Sequence, residues 1–161
     1  VHRFLPEPLL RHERTHDTDN ADGQMATIRT PHPTPRDADN ALSAAVDLAH
    51  AVHGWRQHQA GDEAGALELA IGVHYGPIVL GDIGSDRRME FAVLGDTVNV
   101  ASRLEQANRD IGSRCLISSD LVAAAQAESP AETAQLLKRM REYGPLMLRG
   151  RHASTDVLTL Q

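Results

Sequence analysis

The chain has 161 residues, which is the size of one domain with a single hydrophobic core. Acidic residues outnumber basic residues by 22 to 16, and the formal charge of −6 excludes a general binder of nucleic acid or of anionic membranes, which needs a basic face. Aromatic residues make up 3%, which excludes a stacking platform for bases, and the one cysteine, Cys115, excludes a disulfide framework and a Cys-rich zinc site.

The first forty residues differ in composition from the rest of the chain. They contain five of the eight prolines and lack a sustained apolar stripe, and the Pro31–Pro35 segment excludes a helix or a central strand. Gln24–Arg29 is the one short strand that this segment suggests. We therefore predict a degenerate, weakly packed segment over residues 1–37 and a compact domain over residues 38–161.

The remainder of the chain mixes helices and strands. Apolar residues at helical spacing predict a helix that begins with Asp37 or Asp39 as its N-cap and runs to about Gln59, and a second helix from Asp96. An Ala-rich helix follows, capped by Ser118 or Ser119 and ending near Gln126, and Pro130–Arg141 is a charged helix or a connection. Strands are predicted at Leu67–Tyr75, Pro77–Ile83, Met89–Leu94, Cys115–Ile117, Leu146–Arg149 and Asp156–Leu160. Because several strands are hairpin neighbours, this order predicts an α+β fold with a largely antiparallel sheet.

The second predicted helix carries a polar pair beside its apolar stripe. Asn99 and Arg103 are four positions apart and therefore share one helix face. An amide next to a guanidinium suits negative charge that develops on a ribose oxygen or a phosphorus-bound oxygen. Taken alone, the spacing favours an ordinary surface pair in which Arg103 meets Glu105 or another acid.

The motifs around that helix are more specific. Residues 71–106 read IGVHYGPIVLGDIGSDRRMEFAVLGDTVNVASRLEQ, and a basic-Gly-basic stretch at Arg149–Arg151 precedes the last predicted strand. Three motifs occur in order in the longer segment: Gly72–Gly76, Gly81–Ser85, and Gly95–Asn99 continued to Arg103-Leu104. This pattern strongly resembles the catalytic domain of the class III adenylate and guanylate cyclases, whose fold is a ferredoxin-like α+β domain.

The resemblance implies a phosphorus-oxygen lyase that converts ATP or GTP to a 3′,5′-cyclic nucleotide and pyrophosphate in cyclic-nucleotide signalling. It implies that Asn99 and Arg103 are catalytic and stabilise the transition state as the ribose 3′-oxygen attacks the α-phosphate. It also implies that Arg87 or Arg88, and Arg151, bind the substrate phosphates. His74 receives no catalytic role, because a histidine in a strand is most often a bonded, half-buried side chain.

The residues at the metal-binding and base-reading positions depart from the family pattern. Asp22–Ala26 resembles the Gly-Asp-Gly-x-Met-Ala turn, so Asp22 is the candidate metal ligand for Mg²⁺ or Mn²⁺, although Ala21 replaces the glycine. Thr18 stands where the family has a base-reading lysine, and Ala92 occupies the other base-reading position. Alanine offers no hydrogen bond, so the choice between ATP and GTP is not predicted.

Residues 1–21 contain nothing that resembles the family's first strand, which carries the other metal aspartate in Phe-x-Asp-Ile. The chain is therefore identified as a cyclase domain with its first strand missing, impaired or inactive alone. Such cyclases are similar to two-fold dimers with sites across the interface, which implies a homodimer or a heterodimer with another cyclase chain. The alternative is a catalytically silent pseudo-cyclase that dimerises or regulates, or a decayed gene product. Without an apolar run of about 18 residues or a signal peptide, a cytoplasmic location is expected.

Two other motifs match a metal-binding pattern only in part. Residues 12–16 match the zinc motif H-E-x-x-H, but Pro6 and Pro8 leave little helix upstream and no third ligand has the expected spacing. Thr18–Arg29 resembles a calcium loop, but Arg29 stands where a bidentate glutamate belongs.

Overall fold

The computed structural model describes residues 14–20, 23–28, 32–58, 69–85 and 88–160. Eight strands and four helices lie within these residues. In chain order they are β1 (Arg14–Asn20), β2 (Gly23–Ile28), α1 (Asp37–His58), β3 (Ile71–Val73), β4 (Val79–Ser85), β5 (Arg88–Leu94), α2 (Asp96–Ile111), β6 (Cys115–Ser118), α3 (Ser119–Glu128), α4 (Pro130–Leu137), β7 (Met140–Leu146) and β8 (Thr155–Leu160).

The central sheet has four strands in the order β3-β6-β8-β7. β3 pairs with β6 in parallel, whereas β6 with β8 and β8 with β7 are antiparallel. Two antiparallel hairpins, β1–β2 and β4–β5, form separate two-stranded sheets. The predicted α+β class with a mostly antiparallel sheet is confirmed.

The core lies on both faces of strand β6. Cys115 and Ile117 pack into a cluster with residues of α1 and α3, including Leu42 and Leu121. Leu116, between them in sequence, packs into a second cluster that includes buried residues of α2. Successive side chains of a strand point to opposite faces, so the sheet is covered by α1 and α3 on one side and by α2 on the other.

Strand β3 lies unusually close to helix α2. A Cβ atom at Gly72 would overlap the backbone carbonyl oxygen of Ala101 and the backbone nitrogen of Glu105. The buried Asn108 side chain also donates from Nδ2 to the carbonyl oxygen of Ile71, at 3.0 Å. These two contacts hold the end of β3 beside α2, which brings the segment after β3 to the start of that helix.

The N-cap prediction for the first long helix is wrong. Asp37 is itself the first residue of α1, and Asp39 lies in the first turn of that helix. The Asp37 carboxylate accepts from the segment before the helix, because Oδ2 accepts from the Thr34 nitrogen at 2.9 Å and Oδ1 accepts from the Thr34 hydroxyl at 2.6 Å. Asp39 instead pairs with Arg36, at 2.6 Å.

The predicted strand at Leu146–Arg149 is also wrong in its bounds. The strand that pairs with β8 is β7, Met140–Leu146, and the residues after Leu146 enter a turn. β7 contains Gly144, with φ of 97°, and Pro145, and the register shifts between Glu142 and Gly144. An edge strand tolerates such residues because one of its sides needs no partner.

The structure adds a strand at the N-terminal end that the sequence analysis did not predict. β1 pairs with β2 through the backbone from Arg14 with Ile28 to Asn20 with Gly23. His16 therefore lies in a strand and not on the helix that a zinc H-E-x-x-H motif needs. How firmly residues 1–37 pack, and the boundary at residue 38, stay predictions.

Candidate functional site

Helix α2 presents the candidate pair as predicted. Its buried residues are Val100, Leu104 and Asn108, which fix the rotation of the helix against the sheet. With that face inward, Asn99 is exposed and Arg103 is partly buried, one turn apart. An exposed amide and a partly desolvated guanidinium thus lie side by side, where an anionic ligand can reach both.

The glycine motifs before α2 meet the start of that helix in space. Thr97 Oγ1 donates to the carbonyl oxygen of Pro77, at 2.6 Å. A Cβ at Gly76 would lie 2.6 Å from the same hydroxyl oxygen, so a side chain there would displace Thr97 from this hydrogen bond. Gly95 has a φ of 147°, a conformation that side chains disfavour, and it turns the chain from β5 into α2. These glycines therefore allow the segment after β3 and the start of α2 to approach each other closely at the site.

The turn between β7 and β8 lies against the same helix. Arg151 Nη1 is 2.6 Å from Asp96 Oδ2, at the first residue of α2. Gly150 has a φ of 75°. A Cβ atom added at Gly150 would lie 3.6 Å from Arg103 Nη2. Arg151, predicted as a phosphate-binding residue, is thus placed close to Arg103.

His74 follows β3 and is held away from solvent. Its Nδ1 is 2.8 Å from Ser118 Oγ and 3.8 Å from Asp120 Oδ2. Burial lowers the pKa of His74 below its usual value; the positive charge of Arg151 acts in the same direction, while Asp120 and Asp96 oppose it. The neutral His74 side chain, hydrogen-bonded to buried Ser118, therefore stabilises the fold. This agrees with the expectation of a bonded, half-buried histidine.

The described residues do not show where the side chains of the other predicted site residues lie. Asp22 and Arg87 lie outside the described residues, and Arg88 is described only by its backbone, which pairs with Ser85 across the β4–β5 hairpin. The two base-reading positions are likewise described by backbone alone: Thr18 pairs with Met25, and Ala92 pairs with Gly81.

A metal centre is not evident within the described ranges. No group of three or more histidine, cysteine, aspartate or glutamate side chains there could hold a metal ion. Among the described helices, none is both long enough and apolar enough to cross a membrane.

Sequence reasoning missed two residues of the site region, Asp96 and Asn108. Asp96 stands next to Gly95 in the motif, but its partner Arg151 is 55 positions away, so no local pattern reveals the pair. Asn108 continues the apolar stripe four residues after Leu104, and a polar residue in that register is the signal that could have found it.

An α+β domain in which a glycine-rich strand and turn meet an Asn-x-x-x-Arg helix is the architecture of a nucleotide cyclase catalytic domain. Residues 21–157 match the family described as "Adenylate and Guanylate cyclase catalytic domain", and the chain belongs to this family. The sequence prediction of the family is confirmed.

Known relatives agree with this assignment. The chain is 27% identical over 154 residues to adenylate cyclase 1 of Rhizobium meliloti, covering 96% of this chain and 22% of that protein. It is 35% identical over 88 residues to an adenylate cyclase of Anabaena cylindrica, covering 52% of this chain and 18% of that protein. The chain thus spans about a fifth of the length of these relatives.

Solved structures show the same fold. A bacterial light-regulated adenylyl cyclase matches with a TM-score of 0.75 and 22% identity, covering 99% of this chain and 42% of that chain. The guanylyl cyclase Cya2 matches with a TM-score of 0.70 and 23% identity, covering 97% of this chain and 74% of that chain.

Proposed function

We propose that the chain contributes Asn99 and Arg103 to a site that converts ATP or GTP to a 3′,5′-cyclic nucleotide and pyrophosphate. The observation that supports this most is that exposed Asn99 and partly buried Arg103 share one face of α2, against the turn that carries Arg151, within a domain of the cyclase family. In the reaction the ribose 3′-hydroxyl loses its proton to solvent, its oxygen bonds to the α-phosphorus, and the bond from that phosphorus to the departing pyrophosphate breaks.

Each residue has a defined part in this proposal. The Arg103 guanidinium donates hydrogen bonds to the oxygens of the α-phosphate, where negative charge is redistributed as the new bond forms. The Asn99 amide, one turn earlier, orients the ribose so that the 3′-oxygen faces the phosphorus. Arg151, and Arg87 or Arg88, bind the phosphates that leave as pyrophosphate.

The divalent metal is the weakest part of the site in this chain. Mg²⁺ or Mn²⁺ supplies Lewis-acid stabilisation to phosphoryl transfer when it is bound. Asp22 is the one ligand that we propose here, and the described residues do not complete a metal site. We therefore propose that the chain has little activity alone, and that a second cyclase chain, in a homodimer or heterodimer, brings metal aspartates to the shared site.

A second candidate function is a catalytically silent module that dimerises or regulates a cyclase. The observation that favours it is a pair of exposed apolar side chains, Val79 and Leu94, which are exposed by 64% and 52%. Val79 and Leu94 pair across the base of the β4–β5 hairpin, near the candidate site. Exposed apolar side chains that cluster in this way suit contact with another protein.

The test is a complementation assay for cyclic nucleotide. The chain is mixed with a helper, a cyclase chain that keeps both metal aspartates but lacks its own site Asn and Arg. With ATP or GTP and Mn²⁺, we expect product in the mixture and little from either chain alone. Arg103→Ala and Asn99→Ala should each lower the rate by about 100-fold or more, while Arg109→Ala, a matched exposed arginine on α2, leaves it unchanged.

The outcomes separate the two candidate functions. Product that depends on Asn99 and Arg103 supports the shared catalytic site. A complex that forms with the helper but makes no product, with or without the substitutions, would instead support the silent module. Size-exclusion chromatography with light scattering on the same mixtures shows whether the complex forms.

A further inference from the structure

The turn over residues 147–154 contacts α2 at three places. Leu148 is 2% exposed and packs in the cluster with buried residues of α2. Gly150 lies against the Arg103 guanidinium, and Arg151 Nη1 meets Asp96 Oδ2 at 2.6 Å. The turn therefore contacts the helix from its first residue to the turn of helix that carries Arg103.

These contacts differ in kind. The Leu148 end is anchored by burial, and the Arg151 nitrogen donates to the Leu148 carbonyl oxygen, at 3.0 Å. The other end is held to the helix by the Asp96–Arg151 ion pair. Asp96 and Arg103 are seven positions apart, which is about 10 Å along the helix. Without the ion pair, the turn would be free to pivot about Leu148, and both arginines would lose their relative placement.

The ion pair leaves Arg151 able to bind an anion. It engages one terminal nitrogen, whereas a guanidinium carries five N–H donors. The Arg151 side chain is 29% exposed, so part of it faces solvent near Arg103. Arg151 can therefore contact Asp96 and a phosphate oxygen at once.

We propose that Asp96 is a positioning residue that holds Arg151 and the 147–154 turn against α2, so that Arg103 and Arg151 form one binding place for the phosphates of the nucleotide. This inference rests on the proposed function, because it assigns a role to Asp96 in that same site. Asp96 itself does not contact the substrate, and it acts through Arg151 and the turn.

The test has one arm with activity and one without it. In the mixture with the helper chain, Asp96→Asn should lower kcat about fivefold, the ceiling for an exposed ion pair. Asp96→Glu should retain most of kcat, and Asp110→Asn, a matched exposed aspartate of α2, should not change it. In the chain alone, Asp96→Asn should speed amide hydrogen exchange at Arg151 by a similar factor, with an unchanged melting temperature.

Each outcome decides a distinct point. Unchanged exchange in Asp96→Asn would overturn the proposal, because the ion pair would not hold the turn. Faster exchange with unchanged kcat would overturn the positioning role and leave a purely structural contact. An equal loss in Asp110→Asn would show a general charge effect and would also overturn it. If the wild-type mixture makes no product, the proposed function fails with the positioning role, and exchange still shows whether the ion pair closes the turn.

Discussion

At the scale of single residues, burial decides which reactive side chains are available. Cys115 lies in the central strand β6 and is 2% exposed, and burial raises the pKa of its thiol to about 12. His74, by contrast, keeps contact with charged groups at the edge of the candidate site. The first side chain is chemically silent in the folded protein, whereas the second responds to pH.

Alkylation of Cys115 should report unfolding. The thiolate is the reactive form, and it is scarce near neutral pH when the pKa is about 12. We expect iodoacetamide to label the native protein slowly and the urea-unfolded protein completely, as measured by intact mass. The chain has one cysteine, so a single adduct identifies the site. Ser102→Cys, at an exposed position of α2, should add a second adduct quickly under native conditions. Rapid native labelling of Cys115 would contradict its burial.

The His74 pKa gives the stability a defined pH dependence. Because burial lowers the folded pKa below the ordinary value of 6.5, the unfolded chain takes up this proton at a higher pH than the folded chain. The stabilisation from neutral His74 is thus fully present above 6.5 and is lost as the pH falls from 6.5 through the folded pKa.

His74→Gln should therefore lose less unfolding free energy than the wild type between about pH 7.5 and about pH 5.5, in urea titrations. His152→Gln, at an exposed position in the 147–154 turn, is the matched control and should follow the wild type. Parallel losses in the wild type and His74→Gln would show that His74 does not carry this dependence.

At the scale of elements, the packing contact between β3 and α2 determines where the candidate site lies relative to the sheet. Gly72 allows the strand to approach the backbone of α2 at Ala101 and Glu105. Backbone atoms of a packed helix cannot move aside as a flexible side chain can. The position of Asn99 and Arg103 relative to the sheet thus depends on the absence of a Cβ atom at Gly72.

Substitution of Gly72 tests this packing contact. We expect Gly72→Ala to reduce the free energy of unfolding by about 3 kcal/mol, through overpacking. Gly54→Ala adds the same methyl group within α1, where no described atom beyond the local helix backbone lies within 4 Å of the new Cβ, and should increase stability by about 0.5–1 kcal/mol. Both values come from urea denaturation followed by circular dichroism. A Gly72→Ala variant as stable as Gly54→Ala would contradict the packing described here.

Elements with a local signal could be predicted, and those held by distant partners could not. Helix α2 has apolar residues at helical spacing and an entry glycine, so its start at Asp96 was predicted correctly. β1 has a polar sequence and is held by backbone pairing with β2, and β7 is interrupted by Gly144 and Pro145. Neither carries the alternating apolar pattern that marks a strand in isolation.

At the scale of the whole molecule, the sequence predicted the family but not the surroundings of the candidate pair, whose catalytic role stays a prediction. Asn99 and Arg103 could be found because their spacing and the neighbouring motif are local. The turn that covers α2 joins residues that are far apart in the chain, since Asp96 and Arg151 are separated by 55 positions. Such contacts follow from the sheet order, which brings the β7–β8 turn to the helix.

We predict that catalytic capacity is a property of a pair of chains. Asn99 and Arg103 lie on one helix, and the turn that carries Arg151 contacts that helix. On the proposed function, we expect carboxylates from a second chain to be needed before phosphoryl transfer becomes fast.

The most direct measurement is the initial rate of cyclic nucleotide formation as the helper chain, with both metal aspartates but without its own site Asn and Arg, is titrated into a fixed amount of this protein. We predict almost no product without the helper and a rate that rises to a plateau when the two chains reach equal amounts. Robust product from this protein alone, abolished by Asp22→Ala, would contradict the account, because it would show that the chain completes its own metal site.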